Sequence, residues 1–197
     1  RPFLSITGIL VLINVLVTLY LWLQGLSLTS PKPIDLIVWG GNLGPLTLTN
    51  DPWRLFTSMF IHGGLLHLGL NMILLIQVGP LLEELIGKMR FITSYLLTGL
   101  FASLVSALWY SHQAVKASQS YQSIFLGPSY IPTVSIGASG AIMEIAATTL
   151  VCSWWKSRHP DNDSSTTHIN WNSLAQVIVL NVGMGFFISG VDNACHV

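Results

Sequence analysis

Five apolar runs dominate the chain, over residues 5–23, 63–86, 91–110, 136–155 and 171–190. Each is close to the roughly 20 residues that an α-helix needs to cross a bilayer. None alternates apolar and polar positions as barrel strands do. Only helices or closed barrels satisfy their own backbone inside lipid. The pattern therefore predicts an all-α fold, a polytopic transmembrane helical bundle with five spans, forming one domain over residues 1–197.

The connections differ in character. Residues 24–60 read as a long loop containing proline, glycine, Trp39 and Trp53. It is too apolar for a free linker, so it is expected to lie in the membrane interface, held by its tryptophans. The stretch GKMR at 87–90 reads as a tight turn, 111–133 as a polar loop and 156–170 as a charged loop. No strand is expected before the fourth run.

Composition supports the membrane reading. The chain is 51% hydrophobic and 8% charged, against about 25% charged in a soluble domain. Its formal net charge of zero gives no footprint for nucleic acid. Cys152 and Cys195 form neither a disulfide framework nor a zinc motif. The first run is too long for a cleavable signal peptide and lacks its small-residue cleavage site. The first residue is Arg1, which suggests a fragment or a trimmed chain.

Charge sets the orientation. An inside N-terminus puts Arg1, Lys88, Arg90, Lys156 and Arg158 in the cytoplasm, five cations against Lys32, Arg54 and Lys116 outside. The positive-inside rule favours that arrangement. The second and fourth runs then both begin at the outer face, which puts the His62 and Ser139 regions at the same membrane surface.

The chemistry gathers there. The second run opens FIHGGLLHLGLNM, with His67 and Asn71 at i, i+4 on one helix face. Polar side chains in lipid are costly, face inward and often mark function, although packing between helices also explains such a pair. The His62–His67 spacing is not that of a zinc helix, and no metal site is expected. The fourth run opens IGASGAIME. GASG alone also reads as a patch of small residues for close helix packing. It is not the G-x-S-x-G elbow, since Ala141 stands where the last glycine belongs. The chain ends SGVDNACHV, so His196 returns to the outer surface after the fifth run. An attacking hydroxyl, an imidazole base and hydrogen-bond donors thus converge on one face, the parts that acyl transfer needs.

With these residues assembled, the sequence resembles the rhomboid intramembrane serine proteases. DPWRLFTSMFIHGGLLHLGLNM (51–72), EELIG (83–87), GASGAI (137–142) and VDNACH (191–196) are similar to motifs of that family, in its order, across residues 39–197. The resemblance implies a Ser139–His196 dyad. It implies an oxyanion and substrate-binding site of His67, Asn71, Gly137 and the Ser139 backbone N–H. His62 would tie loop to helix beside that site, and Trp53 and Arg54 would anchor the long loop. It implies single-span membrane proteins as substrates, the lipid bilayer as environment and no cofactor. Localisation in the plasma membrane, the bacterial inner membrane in a bacterium, follows from it.

Some features depart from the family. Its fold has six spans, and here the sequence stops one residue after His196. The chain as it stands is therefore expected to be inactive or weakly active. Met143 replaces an aromatic ring of some members, and Glu144 stands where small residues are usual. Glu144 is expected to pack between helices as a neutral or hydrogen-bonded carboxyl. Glu83 and Glu84, near Lys88 and Arg90, read as an interfacial charge cluster. Two rival functions are an inactive rhomboid-like protein that binds transmembrane clients, and a small transporter.

Overall fold

The computed structural model describes residues 5–118 and 133–158, with Val179 beyond them. The elements are α1 (Ile6–Leu23), α2 (Pro33–Val38), β1 (Asn42–Leu43), α3 (Gly44–Thr49) and α4 (Arg54–Thr57), then a 3-10 turn at Ser58–Phe60. They continue with α5 (Leu65–Ile86), α6 (Lys88–Ser118), β2 (Val134–Ser135) and α7 (Ser139–Arg158). Among the described residues three helices, α1, α5 and α6, are long and apolar enough to cross a membrane, and α7 has a shorter apolar part, Ser139–Val151. Apart from Val179, the expected fifth run lies outside the described residues.

The helix ends follow local chemistry. Ser5 caps α1, its hydroxyl accepting from the Gly8 N–H at 3.0 Å. Gly87, at φ +84°, closes α5 with its N–H on the Glu83 carbonyl. Only glycine adopts that backbone region cheaply, so the expected four-residue turn contracts to this one residue.

α1 runs antiparallel to α5, since Glu83 near the end of α5 bonds Ile6 and Thr7 at the start of α1. α1 packs on α5, and α7 packs on both α5 and α6. Small residues set the closest approaches. A Cβ on Gly79 would stand 2.7 Å from the Thr7 side chain, and one on Gly99 would run into Met59 and the Ala141 methyl. Leu75, Leu82, Phe91, Tyr95, Ile142 and Ala146, all fully buried, fill the interior between the long helices.

Three expectations need correction. The segment 24–60 is not an unstructured loop: it contains α2, α3 and α4, with Pro33 and Pro45 in the first turns of α2 and α3. Proline is pre-organised for that position, where its missing N–H costs nothing. The third run does not end at 110, because α6 continues to Ser118. Its last turns are polar but keep helix formers, and the backbone of Gly44 presses against Ala107 and Ser111 there. A strand does precede GASG, since β1 pairs antiparallel with β2, Asn42 opposite Ser135 and Leu43 opposite Val134.

Candidate active site

The site is built where the heads of α5 and α7 meet. α7 starts at Ser139, directly after β2 and Gly137. Gly137 has φ +104°, in the region that side chains avoid. Its N–H donates to the Ser58 carbonyl at 2.8 Å, fixing the strand-to-helix turn against the 3-10 turn before α5. A Cβ there would lie 2.8 Å from His67 Cε1 and 2.9 Å from Nε2. Glycine is thus required twice, once by its backbone angle and once by the imidazole seated against it.

His67 lies in the first turn of α5, and the Gly63 N–H donates to its Nδ1 at 3.1 Å. His62 precedes the helix, with Nδ1 3.3 Å from the Phe60 carbonyl oxygen. The two imidazoles meet edge to face, centroids 5.2 Å apart at 64°. One turn deeper, the Asn71 amide donates to the His67 carbonyl at 2.9 Å. His62, His67, Asn71 and Ser139 are all buried. Burial, helped by the neighbouring His67, pushes the His62 imidazole down to about 3.

Ser139 stands two residues beyond Gly137, at the N-terminus of a 20-residue helix. The first-turn N–H groups of a helix have no intrahelical partner and carry positive partial charge. Ser139 and the first-turn amides thus begin two residues beyond the glycine on which the buried His67 is seated, in a buried corner of the fold. Such a corner can hold an oxygen that becomes negative. The proposed base, His196, lies outside the described residues, as do Cys195 and Asp192. Among the described residues no three His, Cys, Asp or Glu gather as a metal site.

Trp53 and Arg54 organise the interfacial segment. Arg54 is buried, and its guanidinium donates to Asp51 Oδ2 at 2.9 Å, to the Gly41 carbonyl at 3.1 Å and to the Ile37 carbonyl. It also lies 4.6 Å from the centre of the half-exposed Trp53 ring. One side chain thereby joins α2, the approach to β1 and α4. Glu144 departs from expectation. It is exposed, not packed between helices, and its one described partner is the Thr148 hydroxyl at 3.4 Å on its own helix. Glu83, read as part of a charge cluster, is instead buried and accepts hydrogen bonds from Ile6 and Thr7.

A multi-pass helical membrane protein with a buried serine at a helix head, two residues after a glycine seated against an imidazole, defines the class. Comparison with known proteins gives the family. A family model described as the Rhomboid domain matches residues 49–197. The chain is 32% identical over 199 residues to the Rhomboid protease AarA of Providencia stuartii, covering 98% of this chain and 68% of that protein. It is 26% identical over 168 residues to the Rhomboid protease GluP of Bacillus subtilis, 85% of this chain and 28% of that protein. It is 34% identical over 149 residues to RHOMBOID-like protein 5 of Arabidopsis thaliana, 74% of this chain and 40% of that protein. The chain belongs to the rhomboid family.

Proposed function

We propose that this protein is an intramembrane serine endopeptidase that cleaves transmembrane segments of single-span membrane proteins. The observation that carries the reading is the seating of His67 against Gly137, two residues before Ser139 at the head of α7. Similarity to the two rhomboid proteases named above supports it.

In this reading the Ser139 hydroxyl attacks a substrate carbonyl and His196 takes its proton. The carbonyl oxygen becomes an oxyanion, received by the Ser139 backbone N–H, His67 and the second amide hydrogen of Asn71. His196 then returns the proton to the leaving amine, and water hydrolyses the acyl-enzyme by the same route. Gly137 and Gly140 leave the substrate backbone room to approach. Trp53 and Arg54 hold the interfacial segment beside the site. In this reading residues 1–197 belong to a single rhomboid-like domain in the plasma membrane, the inner membrane of a bacterium, with its N-terminus cytoplasmic.

The test is labelling of the full-length protein by a fluorophosphonate probe in native membranes, with cleavage of a single-span reporter in vesicles. The expected result is labelling and cleavage that Ser139→Ala abolishes at unchanged expression. Folded protein that binds the reporter but is never labelled would make it a client-binding relative instead. Solute flux that survives Ser139→Ala would make it a transporter.

A further inference from the structure

We propose that the two edge-to-face imidazoles are held in opposite tautomers, His62 protonated at Nδ1 and His67 at Nε2, by two backbone groups, the Phe60 carbonyl and the Gly63 N–H. This inference rests on the reading of His67 as an oxyanion donor and specifies how that donor is made.

The argument starts from what each backbone partner can do. A carbonyl oxygen only accepts, so His62 Nδ1, 3.3 Å from the Phe60 oxygen, must carry the hydrogen. A backbone N–H only donates, so His67 Nδ1, 3.1 Å from the Gly63 nitrogen, must be bare. A neutral imidazole has one N–H, and fixing one nitrogen fixes the other. His67 therefore presents an N–H at Nε2, the atom that lies 2.9 Å from where a Gly137 Cβ would stand. His62 presents a bare Nε2, buried and without a protein partner among the described residues. Burial keeps the His62 ring neutral at neutral pH, which preserves its single tautomer.

The assignment divides the pair's labour. The expected oxyanion and substrate-binding site had His67 in it and His62 beside it, and only His67 is oriented as a donor towards the head of α7. Gly63 and Phe60 are positioning residues that act through their backbones, and His62 is a positioning residue whose ring meets His67 edge to face. No side chain at Gly63 or Phe60 makes these bonds, so no residue pattern in the sequence signals them.

Nitrogen-15 imidazole spectra of the full chain in bicelles at neutral pH test the assignment. Signals are assigned by their loss in His62→Asn and His67→Gln. The expected result is a protonated Nδ1 with a bare Nε2 for His62, and the reverse for His67, with a coupling across the Gly63 N–H···Nδ1 bond. The same tautomer for both rings, or two protons on either ring, would overturn it. This readout does not require activity, so it is independent of whether the protein is a protease.

Substitutions give a second arm. A glutamine amide reaches the Nε2 position and an asparagine amide the Nδ1 position. His67→Gln should retain at least about tenfold more reporter cleavage than His67→Asn, on the scale of losing an oxyanion donor. For thermal stability the order at position 62 should be opposite, His62→Asn above His62→Gln. An equal or inverted order at either position would overturn the proposal.

Discussion

Glu83 binds Thr7 across 76 residues of sequence, accepting from its backbone N–H and its hydroxyl, each at 3.0 Å. The same carboxylate accepts from the Ile6 N–H at 2.9 Å. The C-terminal end of α5 thus caps the N-terminal end of α1 and satisfies donors that lipid could not. Glu83→Gln keeps the shape and one acceptor oxygen but loses the charge. We expect it to lower stability by about 1.5–3 kcal/mol, the range for hydrogen bonds to charged groups. Thermal unfolding in detergent micelles measures this. A transition unchanged from wild type would show that the cap contributes nothing.

Gly137→Ala should cost more than a methyl group ordinarily does. Its backbone angle is strained for any side chain, at about 1–3 kcal/mol. The added methyl would also meet His67 at 2.8 Å. The expected outcome is a destabilised protein whose reporter cleavage falls more than its folded fraction, because His67 must shift. Cleavage that tracks folded protein alone would remove Gly137 from the site.

Arg54→Lys is a conservative change that the geometry does not tolerate. A lysine keeps the charge but loses the planar fork that reaches the Gly41 and Ile37 carbonyls and Asp51 together. It leaves buried carbonyls unpaired, at about 1–3 kcal/mol for each lost partner. Limited proteolysis of residues 24–60 should accelerate while the spanning helices stay protected. Equal cleavage rates in Arg54→Lys and wild type would count against the clasp.

Apolar periodicity carried much of the architecture into view, and its failures have physical causes. The run over 63–86 nearly coincides with α5, since lipid demands a continuous apolar surface and Gly87 ends it sharply. The i, i+4 spacing of His67 and Asn71 was readable because it is a helix property. The meeting of the two helix heads follows from the alternation of spans. Other features are invisible to such patterns. Glu83 finds its partners at Ile6 and Thr7, far along the chain. The two-residue β1–β2 pair is too short to alternate. α6 outruns its apolar run because α3 packs on it beyond Ala107, where tertiary contact decides. The expected packing of Glu144 between helices failed because a helix apolar on every side has no stripe to mark its outward face.

Glu144 now faces away from the bundle, on a stretch of α7 whose apolar part ends at Val151. An acid within a spanning helix costs about 2.5–3.5 kcal/mol at the centre and less towards the ends. Glu144→Leu should therefore favour insertion of α7, by about 1–2 kcal/mol at this off-centre position. Glycosylation mapping of the α7 segment in a translocation assay reads that equilibrium. Insertion no better than wild type would place the carboxyl in a polar environment.

His62 gives a pH dependence whose sign is fixed. Its folded-state value is about 3, below the ordinary 6.5, and burial is the main cause. The unfolded chain therefore binds a proton that the folded chain refuses as pH falls below about 6.5. The stability that this residue contributes is complete above that value. It drains away between about 6.5 and 3, at up to about 1.4 kcal/mol per pH unit. Other groups titrate in the same window, so the difference between wild type and His62→Asn isolates the effect. Asparagine keeps a donor for the Phe60 carbonyl but cannot take the proton. Wild type should lose stability faster than His62→Asn on acidification below about 6.5, the two curves keeping a constant offset above that value. Parallel curves on acidification below it would mean that the imidazole reaches water in the folded protein, and would sink this account of the site.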